Sequence, residues 1–217
     1  MTAACIRRVL GMTARARTSA VAGVALALTL AGCGSQPAPV PAAHDVAADA
    51  TFVSPLSQAS IYDLDLDLVD ADATYLTLAD LRGQTMVASM VYTSCTSVCP
   101  RVTEDMKAVE RLLSEDAKHH VTFALFSLDP GRDTPAAMKQ FAVSHGLAPE
   151  RWRLFAASED GVRDLSAVFG VKYRRDTDGE IAHSAMIFVI DPAGVVRHRQ
   201  VGLSQDPTAL VKAVSGD

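Results

Sequence analysis

The sequence lacks any run of about 18 or more uncharged apolar residues, which excludes a membrane-spanning helix in the mature chain. Glycine (13) and proline (10) are too few among 217 residues for a fibrous or low-complexity protein. No segment repeats at the period of a solenoid or propeller. Cysteine is scarce, with four in the whole chain. What is present is ordinary globular composition, 49% hydrophobic and 21% charged, which excludes disorder throughout.

Charge is unevenly spread. Residues 1–32 hold Arg7, Arg8, Arg15 and Arg17 and no acid. The rest carries 16 basic against 25 acidic residues, a net of −9. An acidic body argues against binding nucleic acid through its phosphates and suits cationic partners, metal ions included. The basic stretch Arg7 to Arg17 is followed by twelve mostly apolar residues, Ala20 to Ala31, and then by Leu30-Ala31-Gly32-Cys33. Basic, apolar, small is the order of a secretory signal. The ending resembles the bacterial lipoprotein signal, in which the cysteine, here Cys33, becomes the lipidated first residue. The residues after Arg7-Arg8 do not look like a twin-arginine signal. Residues 34–51 contain Pro37, Pro39 and Pro41 and little that would form a core. They read as a semi-extended tether reaching up to roughly 50 Å at about 3 Å per residue. The expected organisation is a signal peptide over 1–32, a lipidated tether over 33–55 and a folded domain over 56–217. That domain works at the periplasmic, extracytoplasmic face of a bacterial membrane, in an oxidising compartment.

Cys5 leaves with the signal and Cys33 takes the lipid, so two thiols remain, Cys95 and Cys99. A structural disulfide is the plainest reading of the pair. Closing so short a loop removes little denatured-state entropy, which makes it a poor stability device.

Ile61 to Val69 alternates Leu64, Leu66 and Leu68 with Asp63, Asp65 and Asp67, the pattern of a half-buried strand with a solvated acidic face. Leu76 to Leu81 reads as a short helical turn ended by Gly83. Thr85 to Tyr92 is nearly all apolar and fits a buried central strand. From Pro100, Val102, Met106, Val109 and Leu113 recur at helical spacing. Val121 to Leu128 is a second buried strand. Asp133 or Thr134 caps the next helix, which runs to Gly146. Trp152 to Ala156 is a strand, and Asp160 to Phe169 a helix ended by Gly170. Ala185 to Ile190 and Val195 to Val201 form a hairpin about Asp191-Pro192-Ala193-Gly194, and Pro207 to Val214 closes the chain as a helix. The alternation predicts an α/β domain around one mixed sheet, with the cysteines where a central strand meets the next helix. In open α/β sheets that end carries the chemistry.

On a helical turn, positions 95 and 99 share a face about 5–6 Å apart. Two thiolates there grip one ion, and the nearby helix N-terminus favours the thiolate form. The spacer also permits a reversible disulfide. His183 precedes the strand expected beside the central one and is a candidate third ligand. His44, His119, His120, His145 and His198 read as tether or surface residues. Two thiolates and an imidazole make a soft site that selects Cu(I) and, through the histidine, accommodates Cu(II). Closed zinc sites and iron–sulfur clusters generally want four ligands. Met86 and Met90 share a strand face and read as core.

Val91-Tyr92-Thr93-Ser94-Cys95-Thr96-Ser97-Val98-Cys99-Pro100 resembles the SCO/SenC family. Leu128-Asp129-Pro130-Gly131-Arg132-Asp133-Thr134-Pro135 and His183-Ser184, followed by a strand and Asp191-Pro192-Ala193-Gly194, look like that family's other signatures in family order, over roughly residues 60–215. The resemblance implies a thioredoxin-like fold and a membrane-anchored protein that binds copper, Cu(I) or Cu(II), through Cys95, Cys99 and His183. It implies a metallochaperone for the dinuclear copper centre of cytochrome c oxidase subunit II, fed by an upstream copper donor. The alternative it carries is a thiol–disulfide oxidoreductase, with Cys95 and Cys99 as the redox pair, that reduces the client's copper-ligand cysteines. Where the family's loop often has an acidic residue and a proline between the cysteines, this chain has Thr96, Ser97 and Val98. The anchor is a lipid rather than the helix many members carry. The client is therefore open to a nitrous oxide reductase or another copper enzyme. Thr93, two before Cys95, does not have the spacing of a thioredoxin-superfamily peroxidase. Asp129 and Asp133 read as ordering a turn, and Asp129 is not assigned to the site.

Overall fold

Parallel strands whose two faces are both covered read as unbroken apolar runs, and the runs at Thr85 to Tyr92 and Val121 to Leu128 become neighbouring parallel strands. The computed structural model describes residues 59–216. Its strands are β1 (Asp67–Asp70), β2 (Tyr75–Thr77), β3 (Thr85–Val91), β4 (Val121–Ser127), β5 (Trp152–Ala156), β6 (Tyr173–Arg175), β7 (Ile181–His183), β8 (Met186–Ile190) and β9 (Val196–Val201). Its α-helices are α1 (Val98–Leu112), α2 (Glu115–His119), α3 (Pro135–Ser144), α4 (Glu159–Phe169) and α5 (Thr208–Ser215). Seven strands make one mixed sheet in the order β2-β1-β5-β4-β3-β8-β9, and β6 and β7 form a separate hairpin. The signal, the tether and Cys33 lie outside the described residues. Among those described, no helix is long and apolar enough to cross a membrane.

Register decides what reaches the site. β3 and β4 run parallel with Val91 opposite Ser127, so the Tyr92–Ser97 and Leu128–Asp133 loops leave the sheet side by side. β8 runs antiparallel to β3 with Ala88 opposite Phe188. The residues just before β8, His183 among them, are thereby carried to the same end of the sheet. One sheet face stacks Phe126 on Phe155 at 5.4 Å, and α4 covers it with Phe169, which stacks on Phe188 at 4.6 Å. Met86 and Met90 are buried there as core. At about 25 cal/mol per Å² of apolar surface removed from water, this buried aromatic layer contributes to the stability of the fold.

Several elements differ from the pattern reading. The segment Ile61 to Val69 is not one strand: Ile61–Asp63 forms a 3-10 turn capped by the Ser60 hydroxyl, and pairing starts at Asp67. The leucine–aspartate alternation survives as burial, with Leu66 and Leu68 inside and Asp63, Asp65 and Asp67 exposed. Leu76 to Leu81 begins as β2 and then turns as a 3-10 helix at Leu78–Leu81, where Thr77 donates to Asp80 from both its N–H and its hydroxyl. The helix after Pro100 breaks at Leu113, because Ser114 caps the separate α2. Thr134, not Asp133, caps α3 by accepting from Ala137 N at 3.3 Å.

Candidate functional site

Cys95 does not stand on a helical turn. It lies in the loop after β3, its N–H donating to the Tyr92 carbonyl at 3.2 Å, while Cys99 is in the first turn of α1. The helix opens with its first N–H groups unsatisfied, and its flanking Ser97 makes no side-chain cap. The Cys95 sulfur fills that role, accepting from Cys99 N at 3.3 Å. The two cysteines are unpaired thiols, 5% and 0% exposed.

This geometry separates their protonation. The Cys99 thiol donating to it, with the N–H groups of Cys99, Ser97 and Val98, lowers the Cys95 thiol to about 4 despite burial. The Cys95 sulfur, and then burial, push the Cys99 thiol far up, so it keeps its proton. A single proton is thus held between two adjacent sulfurs.

The loop is anchored from β4. Asp133 is 2% exposed and accepts from Thr93 N at 3.0 Å, Thr93 Oγ1 at 2.6 Å and Ser127 Oγ at 2.6 Å. Burial raises its carboxyl, against those hydrogen bonds. Asp133 is therefore the acid that orders the cysteine turn. Asp129 faces away from it, taken by Arg132 and by Arg175 at 2.9 Å.

His183 ends β7 rather than standing in a loop before β8. Its Nδ1 is 3.1 Å from the Ile181 carbonyl oxygen. That oxygen only accepts, so the proton sits on Nδ1 and the lone pair on Nε2. Nε2 is buried and has no hydrogen-bond partner. A ring whose Nδ1 is held by a backbone carbonyl, leaving Nε2 toward the ion, is the usual arrangement of a metal-ligating histidine. Tyr92 lies between the two parts: its ring edge meets the His183 ring at 5.8 Å and 72°. Burial raises the Tyr92 hydroxyl, and the adjacent Cys95 sulfur raises it further. The structure brings the cysteines together and His183 to the same end of the sheet. Among the described residues, no three His, Cys, Asp or Glu side chains are grouped closely enough to hold a metal ion.

Of the other histidines, His145 stacks on Phe141 at 4.0 Å, His119 and His120 are exposed at the end of α2, and His198 is half-buried on β9. His44 lies outside the described residues. The pattern reading missed Tyr92, Glu180 and the β6–β7 hairpin. Asp178-Gly179, a favoured hairpin turn with Gly179 at φ +87°, was the available signal.

The SCO1/SenC family profile matches residues 55–215. The SCO1 protein homolog of Bacillus subtilis is 24% identical over 139 residues, covering 63% of this chain and 72% of that protein. The chain spans less than two thirds of several other curated relatives, down to 54% of one. A SCO1/SenC family lipoprotein from Bacillus anthracis superposes with a TM-score of 0.64 at 25% identity, over 74% of this chain and 98% of that one. ScoI from Bradyrhizobium japonicum with copper bound gives 0.58 at 24% identity, over 70% and 96%. The fold is the thioredoxin-like fold of those proteins. With its profile matched from end to end of the folded part, and its strands in the same arrangement, the chain belongs to the SCO1/SenC family.

Proposed function

We propose that the chain is a copper metallochaperone. It takes one copper ion on the sulfurs of Cys95 and Cys99 and on Nε2 of His183, and passes it by ligand exchange to a copper enzyme at the extracytoplasmic face. The client we favour is the dinuclear copper centre of cytochrome c oxidase subunit II, and an upstream donor supplies the ion. A lipid on Cys33 and the tether over 33–55 hold the domain of 56–217 at the membrane.

The observation that carries the reading is the donor set: two adjacent free thiols, the Cys95 sulfur at the start of α1, and a buried imidazole nitrogen with no hydrogen-bond partner. Soft thiolates suit Cu(I), and the imidazole extends the range to Cu(II). Copper-bound relatives of the same fold are consistent with that ion. Incoming copper meets the Cys95 thiolate first. Cys99 then gives up its proton, and Nε2 of His183, at the same end of the sheet, supplies the third donor. Because binding uses two thiolates, a client with better-matched ligands removes the ion one sulfur at a time.

A second reading rests on the opposed protonation of the pair. The Cys95 thiolate attacks a client disulfide, forming a mixed disulfide and freeing one client thiolate. Cys99 then displaces the second client sulfur, leaving Cys95–Cys99 oxidised and the client reduced by two electrons. The roles are compatible, since oxidation of the pair removes both sulfur ligands.

Titration of the reduced chain with Cu(I), in competition with a chelator, tests the first reading. Saturation at one ion per chain, lost in Cys95→Ser and in Cys99→Ser, is expected. His183→Ala should weaken Cu(II) binding more than Cu(I) binding. Unchanged Cu(II) affinity in His183→Ala removes the histidine from the site.

A further inference from the structure

Tyr92 is buried one residue beyond β3, and it is bonded in two directions. Its carbonyl oxygen accepts from Cys95 N at 3.2 Å. Its hydroxyl donates to Glu180 Oε2 at 2.9 Å and accepts from Ile181 N at 3.4 Å. Ile181 in turn accepts from His183 Nδ1 through its carbonyl oxygen at 3.1 Å. Tyr92 and Ile181 thus link the cysteine turn to the imidazole, each through two of its own polar groups. The ring edge of Tyr92 against His183 completes the link.

A phenylalanine at 92 would fill the same core volume, so the hydroxyl is the part that packing does not require. A buried hydroxyl needs partners; Glu180 and Ile181 lie on the arm of the hairpin that carries His183, and the Cys95 sulfur is on its other side. The hairpin is also tied by Arg132 to the Gly179 carbonyl and by Arg175 to Asp129, at its tip and on β6, and one residue after His183 by Ser184 N, which donates to the Lys172 carbonyl at 2.9 Å. His183 Nε2 has no bond of its own to set its direction.

We infer that Tyr92 is a positioning residue: through Glu180 and Ile181 its hydroxyl fixes the β7 arm that carries His183 at the cysteine end of the sheet, ordered before the ion arrives. The inference rests on the reading of His183 as a copper ligand. Without the hydroxyl the β7 arm loses its ties to the end of β3, and more of the ordering of His183 falls to the moment copper binds.

The test compares wild type with Tyr92→Phe, Glu180→Ala, Glu180→Gln, the Tyr92→Phe/Glu180→Ala double variant and His183→Ala in the full chain. Cu(II) affinity is measured by chelator competition and the ligand field by electron paramagnetic resonance. Losing one hydrogen bond of this kind predicts about a fivefold weaker Cu(II) affinity in Tyr92→Phe, with altered nitrogen hyperfine structure and a smaller change for Cu(I). Glu180→Ala should act in the same direction, and the double variant should be no worse than Tyr92→Phe. Glu180→Gln should retain most of the affinity, because an amide oxygen still accepts from the phenol. Glu180 is exposed, so its variants keep the test usable if Tyr92→Phe folds poorly. Wild-type affinity and spectrum in Tyr92→Phe and Glu180→Ala, with His183→Ala impaired, overturn the inference alone, and so do additive effects in the double variant. If His183→Ala binds Cu(II) like wild type, the ligand reading falls and takes the inference with it.

Discussion

At the scale of single residues, Cys95 serves as the cap that α1 otherwise lacks, and that position explains its chemistry. A sulfur facing three N–H groups and a neighbouring thiol is stabilised as the anion. The consequence is asymmetric titration. One thiolate should be present from about pH 4 upward, and the second should stay absent through neutral pH, as read by the thiolate ultraviolet absorbance of the reduced chain. Two thiolates appearing together in the ordinary thiol range would contradict it. The sign for stability follows from proton counting. Between about pH 4 and the ordinary thiol range the folded pair binds one proton fewer than the unfolded chain, so its contribution to stability rises with pH across that window. It is lost as pH falls through 4. Above the ordinary thiol range Cys99 opposes it, because its proton is held only in the fold. Metal binding inherits the same count: Cu(I) uptake at neutral pH should release about one proton per chain, not two, measured in weakly buffered solution.

At the scale of elements, the site depends on loops held from the neighbouring strand. Asp133 joins the cysteine turn to the end of β4 through three hydrogen bonds. Asp133→Ala leaves those donors unmatched and should lower stability by about 3 kcal/mol in chemical denaturation. It should also raise the alkylation rate of the cysteine pair; a stable variant with wild-type alkylation would show that Asp133 does not anchor the turn. Gly194, at φ +86°, turns the β8–β9 hairpin against Ser60 and the Tyr62 ring, where an added Cβ would come within 2.4 Å of the Ser60 hydroxyl. Gly194→Ala should cost about 2 kcal/mol or more by the same measurement. The long apolar runs of β3, β4 and β8 were legible to within a residue or so, and β5 over its full length, because their burial is written locally. The three-residue strands β2, β6 and β7 were not, since three residues are too few to show an alternating pattern of their own. The cysteines and His183 were legible as candidates. Which loop aspartate turns toward Thr93 was not, because the register of β3 on β4 decides it. Tyr92 went unmarked because a tyrosine closing an apolar strand looks like core until its hydroxyl's partners are known.

At the scale of the whole molecule, the sheet brings the candidate ligands from two distant stretches of chain, the cysteine turn and the end of β7, to one end, and the proposed anchor fixes where that end works. Cys33→Ser should move the chain from the membrane fraction to the soluble fraction while the folded domain still takes up copper. Continued membrane association would place the anchor elsewhere. The measurement that bears most directly on the copper site is X-ray absorption at the copper edge of the loaded full chain, reduced and oxidised. Two sulfur ligands in both states, with one imidazole nitrogen that disappears in His183→Ala, is the expected result. A copper shell without two sulfurs, or with the same nitrogen contribution in His183→Ala, would contradict it.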